Sequence, residues 1–274
     1  MKLGAVKLNG NGTFSETEYS QLLDPTNDRK MLALGLTTAP GCNLSCVYCY
    51  TSGGKTDIPK TEWMGSDDYK RAIDQAASLG ARTVVIDGIG EPLLDPNIRP
   101  ILSQIYENGM TPLLATNGTL LGEGNTADFL YQVGASLFIS MESLDNDTYS
   151  TIVGREGMLP KTLEGIETCI QRGYGGVREK DGHKVTDIMI NAMAMRVNIA
   201  EISRLKEFCD EKGILFAARV PGHVGSATGN WGRIVGDVDE RRRLEETLSG
   251  LVDKEEVFQT PYGCLFWTAG NIMD

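Results

Sequence analysis

Three cysteines lie within eight consecutive positions of the chain. Cys42, Cys46 and Cys49 stand in the segment Gly41–Tyr50 with the spacing Cys-x3-Cys-x2-Cys, and the aromatic Tyr48 precedes the third. Thiolates are soft ligands, and their density on one short segment predicts that they converge on a soft metal centre. Three ligands would leave one iron of a cubic iron–sulfur cluster open to a small molecule. The pattern therefore indicates a reactive centre rather than a structural one.

A structural zinc site is the alternative for these thiols. Zinc prefers four tetrahedral ligands, commonly as paired Cys-x2-Cys units or together with histidine. The chain has only two histidines, His183 and His223, and both lie far from the cysteines in sequence. The spacing thus favours iron and sulfide, and a non-catalytic scaffold that holds zinc or a degenerate cluster is the competing function.

The composition is that of a well-cored, acidic protein. Of the 274 residues, 41% are hydrophobic and 23% charged, and the formal net charge is −11. Non-specific nucleic-acid binding needs a basic footprint, so we expect no nucleic-acid partner. The one basic run, residues 241–243, has acidic neighbours and predicts a solvated helix face. No segment has the apolar length of a signal peptide or membrane span, so we expect a cytoplasmic protein without a membrane partner.

Alternating strands and helices must position the cysteines. Strand patterns begin near residues 32, 83, 112, 136, 187 and 214, and helical patterns cover 66–79, 96–109, 126–134, 161–172, 200–212 and 238–251. Such alternation implies parallel strands with right-handed crossovers. Six units are fewer than the eight of a closed barrel, which leaves an open partial (β/α)6 TIM-like barrel or a doubly wound sheet. Both bind ligands at the carboxyl ends of the strands, where the cysteine segment follows the first strand.

Further motifs at strand ends resemble those of the radical S-adenosylmethionine (radical SAM) superfamily, over about residues 32–225. The cysteine segment with its aromatic residue is similar to that family's cluster motif. After the second strand, Gly88-Ile89-Gly90-Glu91-Pro92 is similar to the family's Gly-Gly-Glu-Pro motif, with Ile89 in place of the first glycine. Read alone, this pentapeptide is equally compatible with a simple strand-to-helix turn.

Two more segments carry the resemblance. Thr116-Asn117-Gly118 looks like the family's turn after the third strand. The segment Ile139–Asp145 looks like its fourth-strand motif, with Glu142 where the family usually has aspartate. On the fifth strand, Asn191 occupies a polar family position, although a satisfied strand-end polar group is the alternative.

The resemblance implies a set of residues that bind SAM. Gly90 would let backbone approach a ligand, and Glu91 would meet the SAM ammonium group. Ser140 is similar to the residue that holds the methionine end, and Glu142 would accept the ribose hydroxyls. Arg155 would pair with the SAM carboxylate, unless it is an ordinary surface arginine. The expected cofactor-binding residues are Tyr48, Gly90, Glu91, Thr116, Ser140, Glu142, Arg155 and Asn191.

The resemblance also implies an activity. Cys42, Cys46 and Cys49 would hold a [4Fe–4S] cluster that reductively cleaves SAM to methionine and a 5′-deoxyadenosyl radical. This radical would abstract hydrogen from a small metabolite or a peptide, and an electron donor such as flavodoxin or ferredoxin would supply the electron. Because the cofactor performs the difficult chemistry, the family needs no hydrolytic triad, and none is evident in this sequence.

Within the superfamily, the overall pattern is most similar to the branch of cyclic pyranopterin synthase and the SPASM/twitch peptide-maturing enzymes. Pyranopterin synthases grip a nucleoside triphosphate with basic residues on three strands. The corresponding positions here are Gly35, Ile86 and Met189, and none can bind phosphate through a charge. The sequence therefore argues against pyranopterin synthesis and leaves the substrate open.

Cysteines outside the motif have separate explanations. Cys169 and Cys209 fall in amphipathic helical patterns, which predicts ordinary core residues. Cys264 is placed like the first cysteine of the auxiliary cluster that follows the barrel in many relatives. No cysteine follows it before Asp274, so either the natural protein is longer or Cys264 is an ordinary thiol.

We expect three parts along the chain. Residues 1–31 form an N-terminal extension, and residues 32–235 form the partial barrel of the radical SAM type. Residues 236–274 contain a C-terminal helix and the start of an auxiliary-cluster (twitch/SPASM) region. Candidates for the rim of the substrate pocket are Arg196, Arg219 and His223.

Overall fold

Six parallel strands form the central sheet of the protein. The computed structural model describes residues 31–251, without 32, 39, 54–58, 60–62 and 181–182. The strands in chain order are β1 (Ala33–Thr38), β2 (Thr83–Gly88), β3 (Thr111–Thr116), β4 (Ser136–Ser140), β5 (Val177–Lys180), β6 (His183–Thr186), β7 (Ile188–Met193) and β8 (Leu215–Arg219). β5 and β6 form a separate antiparallel hairpin, and the other six strands form the parallel sheet.

Helices follow the strands along the described part of the chain. They are α1 (Ser66–Ser78), α2 (Ile98–Glu107), α3 (Thr126–Gln132), α4 (Asn146–Val153), α5 (Met158–Gln171), α6 (Ile202–Lys212), α7 (Ser226–Ile234) and α8 (Val238–Leu251). Short 3-10 turns at Pro92–Leu94 and Ile199–Glu201 precede α2 and α6. Within this described part, no helix combines the length and apolarity needed to cross a membrane.

The strand order identifies the architecture. The order is β1-β2-β3-β4-β7-β8, so each strand lies beside its predecessor in the sheet. All five pairings are parallel. A doubly wound sheet reverses its strand order at a switch point, and this sheet has no reversal. The predicted partial barrel is therefore confirmed, and the doubly wound alternative is wrong.

The two faces of the sheet bury different sets of residues. The outward face, which includes Ile86 and Ile190, packs with the helices in the larger core. The inner face carries a smaller cluster of Val85, Leu113, Phe138, Met189 and Ala217. Because successive side chains alternate between faces, Asp87, Ser140 and Asn191 continue the inner face toward the carboxyl ends of their strands. That end of the interior is therefore polar.

The structure contains elements that the sequence analysis missed. Helix α4 follows Asp145, whose side chain accepts a hydrogen bond of 2.9 Å from the amide of Thr148. It ends at Gly154, which has a left-handed φ of 69°. Asp145 and Gly154 are ordinary signals for the start and end of a helix. Helix α7 and the β5–β6 hairpin were also not predicted.

Several predicted boundaries were wrong by a few residues. Pro96 is not the first residue of a helix, because Asp95 Oδ1 accepts a 2.8 Å hydrogen bond from the amide of Asn97 and α2 begins only at Ile98. Helix α5 begins at Met158 rather than Lys161. Strand β7 ends two residues before the predicted Met195, after which the chain turns into the α6 region.

Candidate functional site

Two helices fix the cysteine loop (residues 41–50) at the carboxyl end of β1. The amides of Ser45 and Val47 donate hydrogen bonds of 2.9 Å to the carbonyls of Val153 and Ile152, at the end of α4. On the other side, the amide at the start of α7 donates a bond of 2.8 Å to the carbonyl of Cys49. The loop is thus held through its own backbone, which leaves its thiols available as ligands.

Gly90 lies against the start of the cysteine loop. The amide of Glu91 donates a 2.7 Å hydrogen bond to the carbonyl of Gly41. A Cβ atom on residue 90 would lie 1.7 Å from that carbonyl oxygen, so no side chain fits. The sequence analysis expected Gly90 to admit a ligand, whereas the neighbour that requires glycine here is the backbone of the loop. Gly90 thus joins the end of β2 to the cysteines.

Backbone amides point at two of the three thiols. The amide of Leu44 donates to Cys42 Sγ at 3.4 Å, and the amide of Gly53 donates to Cys49 Sγ at 3.1 Å. Hydrogen bonds to sulfur are one of the means by which proteins tune iron–sulfur clusters. The loop therefore offers thiols together with the donors that stabilise negative charge on them.

Burial makes two of these thiols hard to ionise in the absence of a metal. It raises the pKa of Cys42, and it raises the pKa of Cys46 well above its ordinary value. Glu91 adds to the rise at Cys42, and Glu142 adds to the rise at Cys46. A coordinated metal deprotonates a thiol outright. The positive charge of a metal centre would thus offset both the burial and the neighbouring carboxylates.

The three thiols form one electrostatic group, because Cys42 and Cys49 each raise the pKa of Cys46. Among the residues that the structure describes, no three His, Cys, Asp or Glu side chains are arranged to hold a single metal ion. The donor set is three thiols on one loop, which is the set that a cubic iron–sulfur cluster with an open iron requires.

Glu91 is buried and binds the turn after β3. It is 2% exposed. Its Oε1 accepts hydrogen bonds from Thr116 Oγ1 at 2.7 Å and from the amide of Leu93 at 3.1 Å. Its Oε2 accepts one bond of 2.8 Å from the amide of Asn117. An ionised carboxylate has about four acceptor positions, so one position on Oε2 is left for a ligand ammonium. The contact that the structure shows for the Thr116 hydroxyl is thus its hydrogen bond to the Glu91 carboxylate.

Asn117 links the same turn to the cysteine loop, a role that the sequence analysis missed. Its Nδ2 donates to Asn43 Oδ1 at 2.8 Å and lies 3.9 Å from Cys42 Sγ. Its Oδ1 accepts a bond of 2.6 Å from Thr119 Oγ1. The sequence showed only a turn at Asn117-Gly118, since a contact to a residue 74 positions earlier has no local signal.

Glu142 and Tyr48 form a buried pair. The Tyr48 hydroxyl donates a hydrogen bond of 2.5 Å to Glu142 Oε1. Glu142 is 1% exposed, and burial raises the pKa of its carboxyl to about 7, against the opposing effect of the Tyr48 hydrogen bond. Burial and the nearby Glu142 raise the pKa of Tyr48 well above its ordinary value. Another overlooked residue, Asn198, donates from Nδ2 to the carbonyl of Glu142 at 2.7 Å.

Ser140 and Asn191 are neighbours on the inner face. They are register partners across β4 and β7. Asn191 is 9% exposed, and its Oδ1 has no hydrogen-bond partner among the described residues. A buried amide oxygen without a partner costs free energy, and a bound ligand with a donor group would remove that cost.

The expected arginines and the histidine have different surroundings. Arg155 Nη1 donates a 2.9 Å hydrogen bond to the carbonyl of Asn43, which places it beside the cysteine loop. Arg196 Nη1 lies 3.1 Å from Glu240 Oε1 in an ion pair with the start of α8.

Two other candidates belong to β8 and its loop. Arg219 ends β8 opposite Met193. His223 is exposed, and its ring centroid lies 4.6 Å from that of Trp231.

Cys169 and Cys209 are fully buried, as predicted for core residues. Cys264 and residues 252–274 lie outside the described residues, as do residues 1–30.

These features fit the cofactors that the sequence resemblance implies. The three thiols with their amide donors fit a [4Fe–4S] cluster, and the unsatisfied oxygen of Asn191 on the polar end of the interior fits a ligand such as SAM. A zinc scaffold has less support, because zinc prefers four ligands in paired Cys-x2-Cys units or with histidine, and the loop supplies three thiols in another spacing.

Comparisons with known proteins agree with this assignment. The chain is 31% identical over 192 residues to the AdoMet-dependent heme synthase of Methanosarcina barkeri, covering 69% of this chain and 49% of that protein. It is 29% identical over 188 residues to a probable GTP 3′,8-cyclase of Methanothermobacter marburgensis, covering 68% and 56%. The chain spans about half the length of these curated relatives.

The fold comparison and the family model extend this result. The structure of Streptococcus suis SuiB bound to S-adenosylmethionine has a TM-score of 0.63 at 20% identity, over 96% of this chain and 60% of SuiB. A model described as the Radical SAM superfamily matches residues 36–209, which include the three cysteines and the inner polar residues. This family works with a [4Fe–4S] cluster and SAM. The chain belongs to the radical SAM superfamily.

Proposed function

We propose that this chain is the catalytic domain of a radical SAM enzyme, with Cys42, Cys46 and Cys49 as the ligands of the cluster. The observation that carries the proposal is the position of the three thiols. They lie on a loop that α4, α7 and Gly90 hold at the carboxyl end of the parallel sheet. In an α/β barrel this is the end at which catalysis takes place.

When bound, the cluster and SAM supply reductive cleavage of SAM to methionine and a 5′-deoxyadenosyl radical, which takes a hydrogen atom from the substrate. The chain's own residues would bind SAM and orient it. Oε2 of Glu91 has one acceptor position for the SAM ammonium, and Arg155 lies beside the loop for the SAM carboxylate. Ser140 and Asn191 offer hydrogen bonds on the inner face. Each of these four contacts with SAM is part of the proposal.

We propose a substrate that does not depend on phosphate recognition, although some relatives are GTP cyclases. The inner positions Gly35 and Met189 are uncharged. Ile86, which the sequence analysis aligned with a phosphate-binding position, faces the helices in the outer core. The neighbouring inner position on β2 is Asp87, whose negative charge would repel a triphosphate. A small metabolite or a peptide fits this interior better.

The remaining parts of the proposal concern partners. A one-electron donor such as flavodoxin or ferredoxin would reduce the cluster. An auxiliary cluster at Cys264, the extension over residues 1–31 and the boundaries of the C-terminal region stay predictions, because residues 1–30 and 252–274 lie outside the described part of the chain.

One experiment separates the enzyme from a metal-binding scaffold. The protein is reconstituted with iron and sulfide under anaerobic conditions and incubated with SAM and dithionite. An enzyme releases 5′-deoxyadenosine, and Cys46→Ala abolishes both the brown colour and the release. Cys209→Ala is the matched control, since this buried cysteine lies on α6 in the core, and it should keep both properties. A colourless protein that holds zinc and leaves SAM intact would show a scaffold.

A further inference from the structure

One charged residue near the cysteine loop has no role in the site described so far. Asp87 lies at the carboxyl end of β2, opposite Thr37 of β1 in the parallel register. It lies two positions after Val85 of the inner cluster, whereas Ile86 between them joins the outer core. Alternation along the strand therefore directs the Asp87 side chain into the barrel interior.

Among the described residues, the polar side chains that act on the Asp87 carboxylate are neutral. Thr37 and Tyr50 lower its pKa, whereas burial raises the pKa and has the larger effect. No ion pair joins Asp87 to any lysine or arginine in the part of the chain that the structure describes. A partly buried carboxylate without a positive partner is costly, and proteins usually pair such groups.

The position also places Asp87 beside the cysteine loop. The hydroxyl of Tyr50, which directly follows Cys49, donates a 3.3 Å hydrogen bond to the carbonyl of Gly88. The hydroxyl of Thr51 donates a 2.5 Å bond to the carbonyl of Ile89. The last residue of the loop and the residue after it therefore contact the two residues that follow Asp87. A group bound by this carboxylate would lie next to the candidate cluster.

The part of the inner face that precedes the polar strand ends is apolar. Val85, two positions before Asp87 on β2, belongs to the inner cluster of five hydrophobic residues. Among the described strands of the parallel sheet, the other inward position with a charge is Arg219, on the edge strand β8 at the opposite edge from β1. An occupant of this region thus meets an apolar wall with one carboxylate, and a cationic nitrogen on an apolar stem is its chemical complement.

We propose that Asp87 is a specificity residue. Its carboxylate would bind a protonated amine of the substrate inside the barrel, at the carboxyl end of β2. This inference rests on the proposed function, and it narrows the substrate class to molecules or peptides that carry such an amine. Asp87 would hold the amine by a charge-assisted hydrogen bond. The stem of the substrate would then lie along the apolar interior below the candidate cofactor site.

The alternative is that Asp87 only anchors Tyr50 and β1. The two roles differ in what a neutral isostere does. Asp87→Asn keeps an acceptor oxygen for Thr37 and Tyr50 but removes the charge. A structural anchor would tolerate this change, whereas an amine site would not.

The test uses a pair of photoreactive probes with the reconstituted protein and SAM. One probe is an alkyl diazirine with a primary amine, and the other is its neutral N-acetyl derivative. Labelled peptides are located by mass spectrometry. We expect the amine probe to label peptides that contain β2 or β3 about tenfold more than the neutral probe, which is the factor expected for one charge-assisted hydrogen bond. Asp87→Asn should lower this ratio to about one.

Two variants serve as controls. Thr37→Val removes a neutral hydrogen-bond partner of Asp87 and should keep the amine preference. Asp87→Glu keeps the charge and should keep a ratio well above one, which also covers the case in which Asp87→Asn does not fold. A ratio near one in the wild type, or an unchanged ratio in a folded Asp87→Asn protein, would overturn the proposal. Equal loss in Thr37→Val and Asp87→Asn would overturn it as well.

Release of 5′-deoxyadenosine is measured on the same samples, so the two proposals fail separately. A protein that cleaves SAM without amine preference contradicts the role of Asp87 alone. An amine preference in a protein that leaves SAM intact contradicts the proposed function and leaves only a carboxylate site for amines.

Discussion

The hydroxyl of Tyr48 donates a 2.5 Å hydrogen bond to the buried Oε1 of Glu142. This bond joins the aromatic residue of the cluster motif to the second residue after β4, which lies 94 positions later in the chain. Sequence resemblance treats the two residues as separate motif positions. In the structure a hydrogen bond joins them, so we expect the contribution of each residue to stability to depend on the other.

Tyr48→Phe should lower the free energy of unfolding by about 1–3 kcal/mol, because it leaves a buried carboxyl with one donor fewer. Denaturant unfolding of the variant and the wild type measures this difference. In a double-mutant cycle, Glu142→Gln and Tyr48→Phe should show coupling. Tyr106→Phe is the matched control, since this tyrosine is half exposed. Additive effects of the two changes would contradict the paired arrangement.

Gly90→Ala should prevent normal assembly of the metal centre. The new methyl group would lie 1.7 Å from the carbonyl oxygen of Gly41, so the cysteine loop must move. Iron and acid-labile sulfide after reconstitution should fall several-fold relative to wild type. Gly229→Ala is the control, because a Cβ there meets nothing within 4 Å. Full iron incorporation in Gly90→Ala would show that this contact does not position the loop.

Glu91→Gln should weaken the turn after β3. The carboxylate accepts three hydrogen bonds from the protein, and the amide of glutamine must direct its NH2 group at one of those donors. We expect a loss of about 1–3 kcal/mol in the free energy of unfolding, together with weaker SAM binding by calorimetry. Glu123→Gln, at an exposed glutamate, should change neither quantity. If stability is unchanged while SAM binding is lost, Glu91 acts on the ligand alone.

Removal of the metal centre should expose particular thiols. After chelation, alkylation by iodoacetamide should modify Cys49 and, more slowly, Cys42; both are partly exposed, but burial raises the pKa of Cys42, and peptide mass spectrometry will locate the adducts. Cys169 should stay unmodified, because it is fully buried and burial raises its pKa to about 12. The chelated protein should also melt at a lower Tm, since a ligand of the folded state stabilises it. Equal modification of Cys42 before and after chelation would argue against its role as a ligand.

Much of the fold was predictable because its signals are local. The six strands of the parallel sheet alternate with apolar-faced helices, and glycine ends several of these helices, as at Gly213. The spacing of the cysteines and the motifs that follow the strands can likewise be recognised within a few consecutive positions. These patterns were enough to predict the partial barrel, and they carry the prediction that Cys42, Cys46 and Cys49 are the ligands of the metal centre.

The contacts that hold the site together were not predictable, because they join residues far apart in sequence. The bond from Asn117 to Asn43 spans 74 positions, and the one from Asn230 to Val47 spans 183. Helix α4 was missed although Asp145 and Gly154 mark its ends, since eight residues are too few for a clear period. The contact that requires glycine at position 90 also gave no local signal, because only the fold brings Gly41 beside it.

The central claim is that Cys42, Cys46 and Cys49 hold a [4Fe–4S] cluster with an open iron that binds SAM. Electron paramagnetic resonance of the reconstituted, dithionite-reduced protein, with and without SAM, tests this claim most directly. We predict the signal of a reduced [4Fe–4S] cluster whose g-values shift when SAM is added, and no signal in Cys46→Ala. A cluster signal that SAM leaves unchanged, or stoichiometric zinc with no signal, would contradict the account.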